Sequence, residues 1–167
     1  MKKVLIMRGI PGSGKSTFAA KRVEEAQAQG VRTEVCSADD YFLDSEGHYR
    51  FDANQLPAAH ARSFKLFMLA VTLPPDGDLL VVVDNTNTRA WELAPYIQLA
   101  RTCGFDVEIV RFHADPSFVG PRNVHGCPQV AIDRMAKGME KLPPALGQET
   151  IVPIRIDPLA CLTAVGL

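Results

Sequence analysis

"GIPGSGKS", Gly9 to Ser16, decides how the rest of the chain is read. It matches the spacing G-x-x-x-x-G-K-[ST] in full, directly after an apolar strand ("KVLIM", residues 3–7) and at the start of a helix. Glycines at this spacing let successive backbone N–H groups turn into one concavity, an anion nest at the positive end of the helix. The stretch predicts a phosphate cradle made by Gly12, Ser13, Gly14, Lys15, Ser16 and Thr17. Lys15 brings a point charge to the β- and γ-phosphates, and the Ser16 hydroxyl is a ligand for Mg²⁺. ATP and Mg²⁺ are therefore the expected small-molecule partners.

Working outward, the apolar spacing changes from strand to helix. Ala19, Val23 and Ala26 fall on one helical face, and Gly30 supplies a stop. A second strand is expected from Thr33 to Ser37. "LDSEGHYRFD" (43–52) reads as a turn or small hairpin around Gly47. Phe64, Phe67, Met68 and Val71 mark a helix starting anywhere between Asp52 and Pro57. "LLVVVD" (79–84) is a continuous apolar run ending in Asp84, the signature of a strand buried on both faces. Leu93, Ile97 and Ala100 predict a further helix, in which Pro95 either makes a kink or begins the main part. Trp91 and Tyr96 are expected in its core face. "DVEIVRF" (106–112) is a fourth strand and "PQVAIDRMAKGMEKL" (128–142) is helical in pattern. "IVPIRI" (151–156) is a fifth strand weakened by Pro153.

Strand–helix alternation with apolar strands predicts an α/β fold: a parallel sheet of four or five strands with helices on both faces. Residues 1–167 are read as one domain, with the role of the tail, 143–167, left open. With 167 residues the chain suffices for one substantial core. Its net charge of −1 argues against coating long nucleic acid, so any such contact would be local, with one strand end. Cys36, Cys103, Cys127 and Cys161 lack the spacing of a zinc or redox motif, and no stretch reaches transmembrane length. A soluble, reduced, cytoplasmic protein without a membrane partner is the expectation.

Three features around the cradle specify the chemistry. Asp84 ends the hydrophobic strand, where a second acidic residue faces Mg²⁺. No guanine-reading N-K-x-D follows it, and no glutamate placed to activate water, which leaves phosphoryl transfer to an acceptor. "CSADDYF" (36–42) carries Asp39 and Asp40 to the same rim of the sheet. Asp39 is assigned as the general base that orients an acceptor hydroxyl, because orientation and charge neutralisation supply most of the catalysis in a loose transition state. Asp40 orients the loop, caps a turn or touches substrate. "GPRNVHGCP" (120–128), within a lid of about residues 118–128, offers Arg122 as the catalytic charge and His125 as a weaker partner or a structural imidazole. Arg134 and Lys137, one turn apart on the next helix, face either this cleft or solvent. Asn85, Thr86 and Phe42 complete the set of expected substrate contacts.

"RGIPGSGKST", "SADDYF", "VVVDNTNT.AWE..PY" and "RNVHG" together resemble the P-loop kinases related to polynucleotide 5′-hydroxyl kinases. The chain is most similar there to the P-loop, AAA-type domain of the animal Nedd-binding proteins. The resemblance runs from about Met1 to Leu142. It implies transfer of the ATP γ-phosphate to a hydroxyl, foremost the 5′-OH of DNA or RNA, with Asp39 as base, Lys15 and Ser16 in the P-loop and Asp84 at the metal. Two positions depart from the phage enzymes. Phe42 stands where they carry an arginine that touches the reacting phosphate, and His125 where their lid has another. The animal branch shares both departures, and Arg122 is left to supply the charge. No D-x-D-x-T phosphatase motif follows.

Two further readings stay open. One is a small-molecule kinase acting on a nucleotide-sugar, antibiotic or metabolite, with Tyr41, Phe42, Tyr49 and Phe51 lining an acceptor pocket or lying in the core. The other is an ATP-binding regulatory module with little chemistry.

Overall fold

The chain alternates strand and helix from its first residues. The computed structural model describes residues 1–123 and 125–154. β1 (Lys2–Arg8) leads through the glycine loop into α1 (Lys15–Ala28), and β2 (Arg32–Cys36) follows. A 3-10 turn (Asp39–Phe42), a hairpin and a second 3-10 turn (Ala53–Gln55) precede α2 (Leu56–Thr72). Then come β3 (Leu79–Val83), α3 (Ala90–Thr102), β4 (Asp106–His113), the single-turn α4 (Pro116–Val119), a 3-10 turn (Gly120–Arg122), α5 (Gln129–Lys137) and β5 (Glu149–Pro153).

All neighbouring strands pair parallel, in the order β2-β3-β1-β4-β5. β1 lies at the centre between β3 and β4, and all five residues of β3 are buried. Side chains of one strand alternate between faces, so each strand feeds two cores. Val4, Ile6, Val81 and Val83 pack with Phe67 and Val71 of α2 and Leu93, Tyr96 and Ile97 of α3. Leu5, Met7, Leu80 and Val82 pack with Ala19 and Ala26 of α1 on the other face. A third, smaller cluster joins Ile10 of the glycine loop to Val119 of α4 and Ile132 of α5. The segment expected to act as a lid is thus seated by apolar contact on the cradle itself.

The expected α/β architecture is the observed one, with five strands among the described residues. Several elements differ in extent. α2 begins at Leu56, with Pro57 in its first turn, where its missing N–H costs nothing. α3 begins at Ala90, so Pro95 lies inside it. α5 stops at Lys137 against Gly138, well short of Leu142, because the Glu140 backbone N–H leaves the helix to reach the Thr88 carbonyl at 2.9 Å. β5 begins at Glu149 and is an edge strand, where Pro153 is tolerated. Arg155 and Ile156 of the expected fifth strand lie outside the described residues, as do Cys161 and the rest of the tail. Tyr96 is buried as expected, but Trp91 is 72% exposed. It precedes Leu93 by two residues, about 200° round the helix from the core face. No described helix is long and apolar enough to cross a membrane.

Candidate active site

The glycine loop meets the first turn of α1 at Gly14, which caps the helix with no side-chain hydrogen bond. The N–H groups of Lys15, Ser16 and Thr17 open the helix and have no intrahelical acceptor, so they are available to an anion. The loop closes on itself. Ser13 N–H donates to the Ile10 carbonyl at 3.2 Å, and the Lys15 ammonium donates to the same oxygen at 3.0 Å. Lys15 is buried, and that burial pulls its pKa below the ordinary range despite the attraction of Asp84 and Asp39. Gly12 has φ +77°, and a Cβ there would overlap the Val119 carbonyl oxygen at the end of α4. Five of the six expected cradle residues border a cleft of about 610 Å³. Ser13 does not; its side chain is buried and its hydroxyl lacks a hydrogen-bond partner among the described residues.

Asp84 follows β3 and borders the cleft beside the cradle. Burial pushes its carboxyl up, opposed by the Ser16 hydroxyl and the Lys15 ammonium. Its Oδ1 is buried without a hydrogen-bond partner among the described residues. A half-buried carboxylate with a vacant oxygen, next to a serine hydroxyl and an ammonium, fits a Mg²⁺ bound through water and phosphate. Among the described residues no three His, Cys, Asp or Glu side chains cluster as a metal cage. A nucleotide-bound Mg²⁺ needs only one or two carboxylates.

Asp39 and Asp40 open the 3-10 turn after β2. Asp39 borders the cleft; Asp40 does not, and burial pushes its carboxyl up. The backbone carbonyl of Asp40 accepts from Arg62 of α2 at 3.3 Å. The predicted turn is a hairpin, with an antiparallel bridge between Leu43 and Tyr49 and a bond from Arg50 N–H to the Phe42 carbonyl at 2.8 Å. It carries the Tyr49 hydroxyl to Asp39 Oδ1 at 3.0 Å. His125 approaches the other oxygen, Nε2 to Oδ2 3.7 Å, and its ring lies against Tyr49 with centroids 4.4 Å apart. Phe42, expected to touch substrate, is buried among Tyr41, Tyr49 and Phe51 and does not border the cleft.

The other expected contacts divide between cleft and scaffold. Asn85 borders the cleft, yet its amide is used by the protein: Oδ1 accepts the Ala38 N–H at 2.9 Å and Nδ2 donates to Ser63 at 3.4 Å. It ties the end of β3 to the Asp39 turn. Thr86 lines the cleft, and its carbonyl accepts the Gly9 N–H at 2.9 Å. Arg122 lines the cleft with its guanidinium over the Phe118 ring, 5.3 Å from the centroid. Arg134 of α5 lines it too, whereas Lys137 does not.

Sequence reasoning missed three residues, and for Tyr49, which it placed in an acceptor pocket or the core, it missed the bond to Asp39. Arg8 is fully buried, ion-paired to Glu149, and donates to the carbonyls of Asn87, Thr88 and Glu140. An arginine ending an apolar strand before a glycine loop was the available signal, because a buried guanidinium needs several acceptors. The Tyr49–Asp39 bond left no signal, since it depends on hairpin register. His60 and Glu92 border the cleft from α2 and α3; His60 sits four residues after Leu56, on the same helix face, and Leu56 lines the cleft as well.

Comparison with known proteins agrees with this layout. Human NEDD4-binding protein 2 is 32% identical over 146 residues, covering 83% of this chain and 8% of that protein. Rat YLP motif-containing protein 1 is 30% identical over 159 residues, covering 84% of this chain and 11% of its own length. The chain thus spans about a tenth of these relatives. Among solved structures, Chaetomium thermophilum Kti12 in complex with ADP-AlF3 superposes with a TM-score of 0.65 at 13% identity, over 96% of this chain and 94% of that one. Mycobacterium tuberculosis APS kinase CysC in complex with AMPPNP and APS gives 0.61 at 20% identity, over 98% and 96%. A Sinorhizobium meliloti gluconokinase gives 0.57 at 15% identity, over 98% and 88%. These likenesses show a P-loop NTPase fold of the kinase-like kind. A family model described as an AAA domain matches residues 4–125, from the first buried residue of β1 through the cradle, Asp39 and Asp84 to His125. With the glycine loop, the sheet order and that match in agreement, the chain belongs to the AAA-domain family of P-loop proteins.

Proposed function

We propose that this chain is an ATP-dependent phosphotransferase that moves the γ-phosphoryl group to a hydroxyl of a small molecule. The observation that carries the proposal is the placement of the Asp39 carboxylate on the same cleft as the phosphate cradle, with Tyr49, Phe51 and Leu56 walling the adjoining space. The free N–H groups of α1 and the Lys15 ammonium hold the β- and γ-phosphates. Ser16 and Asp84 would hold Mg²⁺, which neutralises charge on the phosphates when bound. Asp39 accepts a hydrogen bond from the acceptor hydroxyl and aims its oxygen at phosphorus. The new O–P bond forms as the bond to the ADP oxygen breaks, and the hydroxyl proton passes to Asp39. Arg122, which lines the same cleft, supplies charge to the transferring group.

Two features favour a small acceptor over the 5′ end of a nucleic acid. The cations bordering the cleft are Lys15, Arg122 and Arg134, with His60 and His125, in a chain whose net charge is −1. The position of the phage arginine is the buried Phe42. The fold is shared with structures described as APS kinase and gluconokinase, and this supports the same reading.

The test is transfer from γ-labelled ATP with Mg²⁺ to a panel of nucleosides, nucleotides, sugars and sugar acids, beside 5′-OH single-stranded DNA and RNA. Label on one small-molecule class and none on the oligonucleotides is the expected result. Label on the 5′-OH strands alone would overturn the acceptor assignment. ATP binding with no acceptor-dependent transfer would favour the regulatory-module reading.

A further inference from the structure

Asp39 is an exposed side chain at the start of a short 3-10 turn, and nothing in its own turn holds its carboxylate. Among the described residues its oxygens meet two side chains, Tyr49 at Oδ1 (3.0 Å) and His125 at Oδ2 (3.7 Å). The first distance is a hydrogen bond and the second is too long for one. Tyr49 is far better anchored than Asp39. It pairs with Leu43 across the hairpin, and its ring contacts Phe42 edge-on at 6.0 Å. The hairpin is braced by Asp44, whose Oδ1 accepts the N–H groups of Glu46 and His48 at 3.0 and 2.9 Å and whose Oδ2 accepts from Arg50 at 2.8 Å. A phenol held in the hairpin therefore grips one oxygen of an exposed carboxylate.

We infer that Tyr49 is a positioning residue for the phosphoryl transfer, fixing Asp39 through Oδ1 so that Oδ2, on the His125 side, is the oxygen that takes the acceptor proton. This rests on the proposed role of Asp39 as base. Tyr49 itself keeps its proton: burial and the adjacent carboxylate push the phenol up, so it remains a donor throughout the physiological range. In the transfer step the acceptor O–H bond breaks, its proton goes to Oδ2, and its electron pair forms the O–P bond. The leaving electron pair stays on the β-phosphate oxygen of ADP. The hydroxyl of Tyr49 neither gains nor loses a proton. Restricting the carboxylate to one orientation matters because a misplacement of about 1 Å at a reacting group costs on the order of 10²-fold in rate.

The experiment compares Tyr49→Phe, Asp39→Asn and the double variant, using water as the probe acceptor and release of labelled phosphate from γ-labelled MgATP as the readout. Tyr49→Phe keeps the ring against Phe42 and His125, and its thermal midpoint checks the fold. The expected result is a fall of about tenfold in kcat with KM for ATP within about twofold of the parent. In the Asp39→Asn background the same substitution changes the rate by less than about twofold, because its effect runs through the carboxylate. An unchanged kcat in Tyr49→Phe overturns the inference, as do equal losses in both backgrounds or a fall matched by a rise in KM for ATP. If Asp39→Asn turns over ATP at the parental rate, the base assignment itself fails. If Asp39→Asn is inactive but Tyr49→Phe is not impaired, only the positioning role fails.

Discussion

Arg8 and Asn87 stand 79 residues apart and tie the end of β1 to the segment between β3 and α3. Arg8 Nε donates to the Asn87 carbonyl at 2.8 Å, and the Asn87 amide donates to the Met7 carbonyl at 2.8 Å. Asn87 adopts φ +45° to do so, a conformation asparagine tolerates better than most residues. The pair locks the end of β1, where the cradle begins, to the segment after β3 that carries Asp84. The remaining guanidinium bonds extend the lock to Glu140 and Glu149.

Arg8→Met should therefore cost about 3–5 kcal/mol of unfolding free energy, because it strands the Glu149 carboxylate in a largely buried place. Arg111 Nη1, at 3.7 Å, is a partial substitute. Adding Glu149→Gln should recover part of the loss. Urea titrations of the three variants measure this directly, and a cost under about 1 kcal/mol would show that the lock is incidental.

The two cradle glycines should differ sharply when replaced by alanine. Both have positive φ, so each substitution strains the backbone by about 1 kcal/mol. At Gly14 a Cβ meets nothing within 4 Å, whereas at Gly12 it overlaps the Val119 carbonyl. Gly12→Ala must push α4 off the glycine loop and loosen the cluster of Ile10, Val119 and Ile132. We expect Gly12→Ala to lower the thermal midpoint of the ligand-free protein more than Gly14→Ala does. Equal effects would mean that α4 gives way without cost.

Glu108 of β4 makes stability depend on acidity. It accepts both arms of Arg22 at 3.2 Å and the Lys3 ammonium at 2.5 Å. Partial burial pushes its carboxyl up, but the Arg22 and Lys3 bonds outweigh that and leave it below the ordinary value of 4.5. A carboxylate with a lowered folded-state pKa stabilises the protein above its unfolded-state pKa, and the contribution disappears as pH falls through the folded-state value. Glu108→Gln should thus cost about 1 kcal/mol at pH 7. The gap between variant and parent should close as the solution is acidified below the ordinary glutamate range. Denaturation midpoints that stay parallel at all pH values would refute this.

What could be read from the sequence is what local spacing encodes. Gly9–Ser16 specifies a backbone shape whatever surrounds it, and the apolar runs at β1 and β3 specify strands buried on both faces. From these the sheet, the cradle and the rim positions of Asp39 and Asp84 follow. Contacts made between elements were not legible. Asn85 looks the same in sequence whether its amide faces a ligand or, as here, the Ala38 N–H and Ser63. Phe42 belongs to the interior because the hairpin folds Tyr49 and Phe51 over it. Trp91 was placed inside by its hydrophobicity, although the phase of α3 turns it outward. Arg8 reads as a strand terminus until β5 brings Glu149 beside it.

The central claim is that the cradle holds ATP while Asp39 serves only the transfer. The most direct measurement pairs ATP affinity, by titration calorimetry with Mg²⁺, with acceptor-dependent phosphoryl transfer in the parent and in Asp39→Asn. The predicted result is an affinity within about threefold of the parent together with a rate at least about 10²-fold lower. Transfer at the parental rate in Asp39→Asn, with ATP bound as before, would contradict it.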